Sequence, residues 1–175
     1  MKLFQLMREI AAQAQENAAP LPQPERIREI WNGISYQFGG IELLSPLTEI
    51  SEIAPCPSIS LLPGVQPWVR GIANIRGNLI TVVDLASFLE LRPPTINKNS
   101  RIMVVNQADL MLGILVDEVH GLRHYDYAKQ IEQITLDKPK LAPYVKGGFA
   151  FDEQEKIVLS LYSLVQAEDF LNIAA

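Results

Sequence analysis

One cysteine and two histidines in 175 residues leave little material for redox, metal or nucleophilic chemistry. The lone Cys56 permits no internal disulfide and suits a reducing compartment, so the cytoplasm is the expected location. Structural zinc takes three or four Cys, His or carboxylate ligands at close spacing, which Cys56, His120 and His124 do not supply. A Ser-His-Asp or Cys-His site needs a histidine with an orienting partner, and neither histidine falls in such a pattern. Asp117 and Glu118 are adjacent, so on a strand they face opposite ways and form no acid–base pair. Gly71 and Gly77 have no Gly-Lys-Ser/Thr after them, which excludes a phosphate cradle. No run of about 18 apolar residues exists, so no membrane-spanning helix is expected. Lys2, Arg8 and Glu9 near the start, with no small-residue cleavage site, do not read as a signal peptide. Fifteen basic residues are scattered among twenty acidic ones for a net charge of −5, which counts against a nucleic-acid partner. Neither a catalytic residue nor a metal or cofactor is expected.

What the chain does have is a sentence written twice. Residues 68–89, WVRGIANIRGNLITVVDLASFL, read as a strand, a tight turn at Arg76-Gly77-Asn78, a second strand, and a helical turn behind Asp84 as N-cap. The stretch 144–165, YVKGGFAFDEQEKIVLSLYSLV, aligns with it without gaps at an offset of 76. Trp68 meets Tyr144, Gly71 meets Gly147, Val82 meets Val158, Leu85 meets Leu161 and Ser87 meets Ser163. The copies differ at the turn, where Asp152-Glu153-Gln154 replaces Arg76-Gly77-Asn78, and at the cap, where Ser160 keeps no acid. A weaker match at offset 69 sets 43–50 against 112–119. Two copies are too few for a solenoid, and a duplicated β-barrel unit is the expectation.

Around these copies the chain reads in order. Leu3, Leu6, Met7, Ile10, Ala11 and Ala14 share one helical face. Pro20, Pro22 and Pro24 follow as a stiff spacer, then a helical turn over 25–31. The body begins near Gly33 with a strand pair turned at Gly39-Gly40, and a proline-rich connector runs from Ile53 to Pro67. Residues 92–100 have linker composition, 101–106 and 110–118 read as another strand pair, and 123–143 carry no assignable pattern. Ser163 and Gln166 have capping-box spacing ahead of a short final helix.

Leu62-Pro63-Gly64, Trp68-Val69-Arg70-Gly71, Asn74-Ile75-Arg76-Gly77, Val83-Asp84-Leu85, 113–119 and Tyr144-Val145-Lys146-Gly147 together resemble the pattern of CheW-like chemotaxis coupling proteins. The likeness covers about 33–170. Leu62-Pro63-Gly64-Val65, Gly71-Ile72-Ala73-Asn74 and Phe170-Leu171-Asn172 lean towards the branch serving type IV pilus twitching motility. The resemblance implies a mostly β fold of two SH3-like five-stranded barrels around a shared apolar centre. Residues 1–32 would be an N-terminal helical extension and spacer, and 33–175 the CheW-like domain. Its lobes would lie at about 33–98 and 101–165, with exchange of strands between them left open. It also implies a cytoplasmic adaptor at receptor arrays, joining a CheA-type histidine kinase to the cytoplasmic tip of a methyl-accepting chemoreceptor. Carried over by motif, Asn74, Arg76 and Gly77 fall in the coupling signature. Leu47 and Glu49, expected on the strand before the proline-rich connector, match a second partner-contact pair.

A guanidinium at a hairpin tip offers five fixed donors to a partner's carboxylates or carbonyls. The alternative is that Arg76 folds back onto carbonyls near Asp84. Trp68 and Tyr144 read as core or hinge aromatics, with an interface anchor as the rival role. Two other functions stay in view: an adaptor for flagellar chemotaxis, and a β-barrel that binds a small ligand between its lobes.

Overall fold

The computed structural model describes Gln5 and residues 28–174. The apolar stripe of 3–14 and the proline spacer lie outside the described residues, except that Gln5 is helical and exposed. Among the described residues eleven strands form two curled sheets. They are β1 (Ile30–Phe38), β2 (Ile41–Pro46), β3 (Glu52–Pro55), β4 (Val69–Ile75), β5 (Asn78–Val83), β6 (Arg101–Gln107), β7 (Leu110–Val116), β8 (Glu118–Asp126), β9 (Gln130–Ile131), β10 (Val145–Phe151) and β11 (Gln154–Leu159). Among residues 28–174 three short α-helices accompany them: α1 (Leu85–Phe88), α2 (Leu161–Val165) and α3 (Glu168–Leu171).

The written repeat is a structural repeat. Adding 76 to the bounds of β4, β5 and α1 gives the bounds of β10 and β11 and the start of α2. Asp84 caps α1 and Ser160 caps α2. The amide of Asp84 donates to the Trp68 carbonyl at 2.7 Å, and that of Ser160 to the Tyr144 carbonyl at 3.0 Å. The fainter match at offset 69 lays β2 on β7. One sheet has the order β8-β1-β2-β11-β10-β9 and the other β3-β6-β7-β5-β4. Replacing each of the first five strands of the one by its counterpart reproduces the other, leaving only the two-residue β9 over.

The first sheet therefore joins β1 and β2 to strands more than seventy residues further on, through the parallel pairing of Leu43-Leu44 with Ile157-Val158. The second is built from the consecutive β3 to β7. A division at 98–101 falls between β5 and β6, which share the second sheet.

Side-chain alternation along these strands makes three cores rather than one. Inside the second sheet lie Ala73, Ile75, Ile80, Val82, Ile102, Val104 and Leu115, all aliphatic. Inside the first lie Trp31, Leu44, Tyr125, Phe149 and Val158, mostly aromatic, with Tyr125 stacked on Phe149 at 4.8 Å between ring centroids. Between the sheets lies the largest cluster, which includes Tyr36, Phe38, Leu43, Met103, Ile114, Leu159 and Phe170. Neighbouring residues such as Leu43 and Leu44, or Ile102 and Met103, serve different cores because they point to opposite faces.

Gly71 and Gly147 occupy matching positions for a matching reason. Their φ values are 135° and 84°, and a Cβ would lie 2.1 Å from the Ser60 carbonyl oxygen in one and 2.2 Å from that of Ile131 in the other. In each copy a short outer segment crosses β4 or β10 too closely for any side chain.

Three local expectations are corrected. Ile30 and Trp31 belong to β1 rather than a helical turn, because Trp31 is needed inside the first sheet. Residues 123–126 finish β8, whose polar composition reflects an exposed sheet edge. Ser163 and Gln166 are not a capping box: Ser163 sits inside α2, Gln166 is its C-cap, and α3 has Ala167 at its N-cap with no side-chain cap hydrogen bond.

Candidate partner-contact site

Asn74, Arg76 and Gly77 come together at the β4–β5 tip. The turn has φ 48° at Arg76 and 87° at Gly77, the pair of positive values that a two-residue hairpin of matching twist requires. Asn74 Oδ1 accepts a hydrogen bond from the Gly77 amide at 2.8 Å and fixes the turn from within. Asn74 is therefore a support for the tip as well as part of its surface.

The Arg76 side chain is 79 % exposed, and its Nε lies 2.7 Å from Glu52 Oε1 on β3. The approach is off the axis of a directed hydrogen bond, leaving Oε1 without a hydrogen-bond donor. β3 and β4 are the two ends of their sheet, so this ion pair crosses the seam where the sheet curls back on itself. Arg76 does not fold back towards Asp84. The arginine there is Arg70, whose Nη1 is 3.9 Å from Asp84 Oδ2. The cleft beside Arg76 holds about 220 Å³, below the range of small-molecule sites.

Leu47 and Glu49 form a separate site and are not on a strand; they belong to a single 3-10 turn, Leu47–Glu49. Leu47 faces solvent at 41 % exposure, whereas Glu49 is buried. Glu49 Oε1 accepts from the Ser160 hydroxyl at 2.9 Å. Its Oε2 accepts from the amides of Leu161 at 2.6 Å and Tyr162 at 3.2 Å. The first amides of a helix have no partner within it, and a carboxylate there also meets the positive end of the helix dipole. In the first copy Asp84 does this locally, accepting from the amide and hydroxyl of Ser87 at 3.0 and 2.7 Å. In the second copy the acid is supplied from 112 residues away. The Tyr162 hydroxyl adds a bond to the Thr48 carbonyl at 3.1 Å.

The counterpart of the Arg76 tip is acidic, with Asp152 and Glu153 at φ 47° and 61°. Beside it Lys156 Nζ donates to Glu42 Oε2 at 2.7 Å, and that hydrogen bond holds the Glu42 carboxyl below its ordinary value. Sequence reading passed over this pair because its members lie 114 positions apart. Trp68 and Tyr144 are half-buried beside the shared core, with Trp68 edge-on to Phe88 at 5.1 Å. Among the described residues no three His, Cys, Asp or Glu side chains converge as metal ligands. No described helix is long and apolar enough to cross a membrane.

The CheW-like domain model matches residues 32–169. This chain belongs to the CheW-like family. CheW-like proteins are scaffolds and adaptors rather than enzymes, and this one is a scaffold. It is 35 % identical over 171 residues to protein PilI of Pseudomonas aeruginosa, covering 98 % of this chain and 96 % of that one. Chemotaxis protein CheW of Bacillus subtilis is 30 % identical over 89 residues, covering 51 % and 57 %. The crystal structure of the scaffolding protein TtCheW from Thermoanaerobacter tengcongensis superposes with a TM-score of 0.67. That match spans 80 % of this chain and 95 % of the other at 22 % identity, and shows a common fold.

Proposed function

We propose that this CheW-like protein couples a methyl-accepting chemoreceptor to a CheA-type histidine kinase in a pathway controlling type IV pilus twitching motility. The observation that carries the reading is the PilI likeness, which runs through 98 % of the chain, N-terminal extension included. The CheW relatives match less of the chain or match it less well, 51 % of it at 30 % identity in B. subtilis and 77 % at 24 % in Klebsiella aerogenes, which ranks a flagellar pathway second. The work would be done in the cytoplasm at receptor arrays. Different faces of the adaptor hold kinase and receptor, so that a shift at one contact biases the other.

The contact residues are Arg76 at its Asn74- and Gly77-shaped tip, and Leu47 on the exposed side of the turn whose buried side holds Glu49. Arg76→Asp tests this in pull-downs with purified kinase and receptor fragments. It should weaken capture by at least tenfold while the thermal melt shifts little, since exposed ion pairs contribute about 0–1 kcal/mol. Glu52→Ala breaks the same ion pair without touching the tip. Loss of capture in both variants alike, or in neither, removes Arg76 from the contact.

A further inference from the structure

We propose that the open seam of the first sheet, between β8 and the β10–β11 tip, is a binding site for a small zwitterion of amino-acid type. The duplication supplies the comparison. In the second sheet the matching seam, between β3 and β4, is a cleft of about 220 Å³ crossed by the Arg76–Glu52 ion pair. The first sheet has β8 in the place of β3, and Asp152 in the place of Arg76. Its seam therefore carries an acid at the tip and, in Arg123, a base on the edge strand. The signs are exchanged, yet no ion pair crosses this gap. The cleft left open holds about 680 Å³, inside the range of about 300–1,000 Å³ typical of small-molecule sites.

The other polar groups around the cleft are already partnered. Lys156 Nζ donates to Glu42 Oε2 at 2.7 Å and to Gln154 Oε1 at 3.4 Å. His124 Nδ1 lies 2.5 Å from Asn32 Oδ1. Arg123 Nη1 donates only to the carbonyl of its own neighbour Leu122, at 3.4 Å. Among the described residues neither Arg123 nor Asp152 forms an ion pair. One cation and one carboxylate thus face the cleft unmatched, on opposite lips.

Between the lips the wall is aromatic. Phe151 is 49 % exposed and stands edge-on to Tyr125 at 6.0 Å between ring centroids. Tyr125 is stacked on Phe149 beneath it, so this wall is fixed from inside the sheet. Burial pushes the Tyr125 hydroxyl up, against the pull of Lys156 and Arg123, which sets both cations close to it.

A guanidinium takes a carboxylate by two parallel hydrogen bonds, a carboxylate takes an ammonium, and the rings cover an apolar side chain. A ligand with a single charge leaves one lip unmatched, and one with like charges at both ends meets repulsion at one of them. A free amino acid or dipeptide with an aromatic side chain matches all three features. Once bound it would tie β8 to its tip, as the Arg76–Glu52 pair ties β3 to the tip of the other copy.

Titration of the full chain with L-phenylalanine is the test, with glycyl-phenylalanine as a longer probe. A ligand this small should bind with a Kd of about 1 mM. At about ten times that concentration the melting temperature should rise by about 3–6 °C. N-acetylphenylalanine lacks the ammonium and phenylalaninamide the carboxylate, and each should bind about tenfold more weakly. Arg123→Gln should abolish the preference for phenylalanine over phenylalaninamide. Asp152→Asn, which suits the positive φ at that position, should abolish the preference over N-acetylphenylalanine. Both side chains are exposed, so the ligand-free melts should match that of the unaltered chain. Amide chemical shifts on binding should centre on 121–125 and 150–156 and leave 74–78 unmoved. Absence of saturable binding by both probes overturns the proposal. So do preferences that persist in the two variants, or shifts centred elsewhere on the molecule.

Discussion

Removing the Glu49 carboxylate separates a structural role from a partner-contact role at that position. Glu49→Ala strips two buried hydrogen bonds, from the Ser160 hydroxyl and the Leu161 amide, and a part-buried one from the Tyr162 amide. A buried donor left without an acceptor costs about 1–3 kcal/mol. The hydroxyl can turn elsewhere and the amides cannot, which puts the loss at about 3–5 kcal/mol. For a chain of this size each kcal/mol moves the melting temperature by about 2–4 °C, so a drop of about 10 °C is expected. Urea unfolding with an unchanged slope would show that the folded state alone lost stability. Ser160→Asp in the same chain restores an acid at the position where the first copy carries one, and should recover a substantial part of the loss. A Glu49→Ala protein that melts normally yet no longer captures kinase or receptor would refute the structural role.

Gly71→Ala forces a Cβ against the Ser60 carbonyl at a φ of 135°, and should destabilise by more than about 2 kcal/mol in denaturant unfolding. A fold that tolerates it would mean that the outer segment is free to move away. Tyr36 is fully buried, and desolvation holds its hydroxyl far above the ordinary 10. Because the neutral form is favoured on folding, its contribution is intact below pH 10 and declines as pH rises above it. Ultraviolet absorbance titration should show Tyr36 ionising only with unfolding, and the late step should vanish in Tyr36→Phe.

The duplication was legible because glycines, apolar alternation and helix caps are local features that survive divergence. Strand order was not. Alternation in β2 shows that Leu43 and Leu44 are buried, but nothing in it points to Ile157 and Val158 as neighbours. The faint offset-69 match held the missing half of the correspondence, since it pairs β2 with β7 and so fixes where each hairpin sits. The Arg76 tip was readable as a turn because its sequence dictates one. The buried setting of Glu49 in a 3-10 turn was not readable, for the opposite reason. The lack of an acid at Ser160 was visible, but its replacement lay across the molecule, and only tertiary packing brings the two together. Ser163 and Gln166 show the converse failure: a correct spacing with no helix start behind it.

The interleaved sheet has a consequence for how the chain matures. Everything the second sheet needs is complete once Val116 has emerged from the ribosome, whereas the leading hairpin must wait for β8 and β11 before its two edges are satisfied. Loop closure over more than a hundred residues is slow compared with pairing of near neighbours. The aliphatic sheet is therefore expected to form first. During that interval the nascent protein's hazard is concentrated in Ile30–Pro46, the stretch a chaperone would be expected to hold.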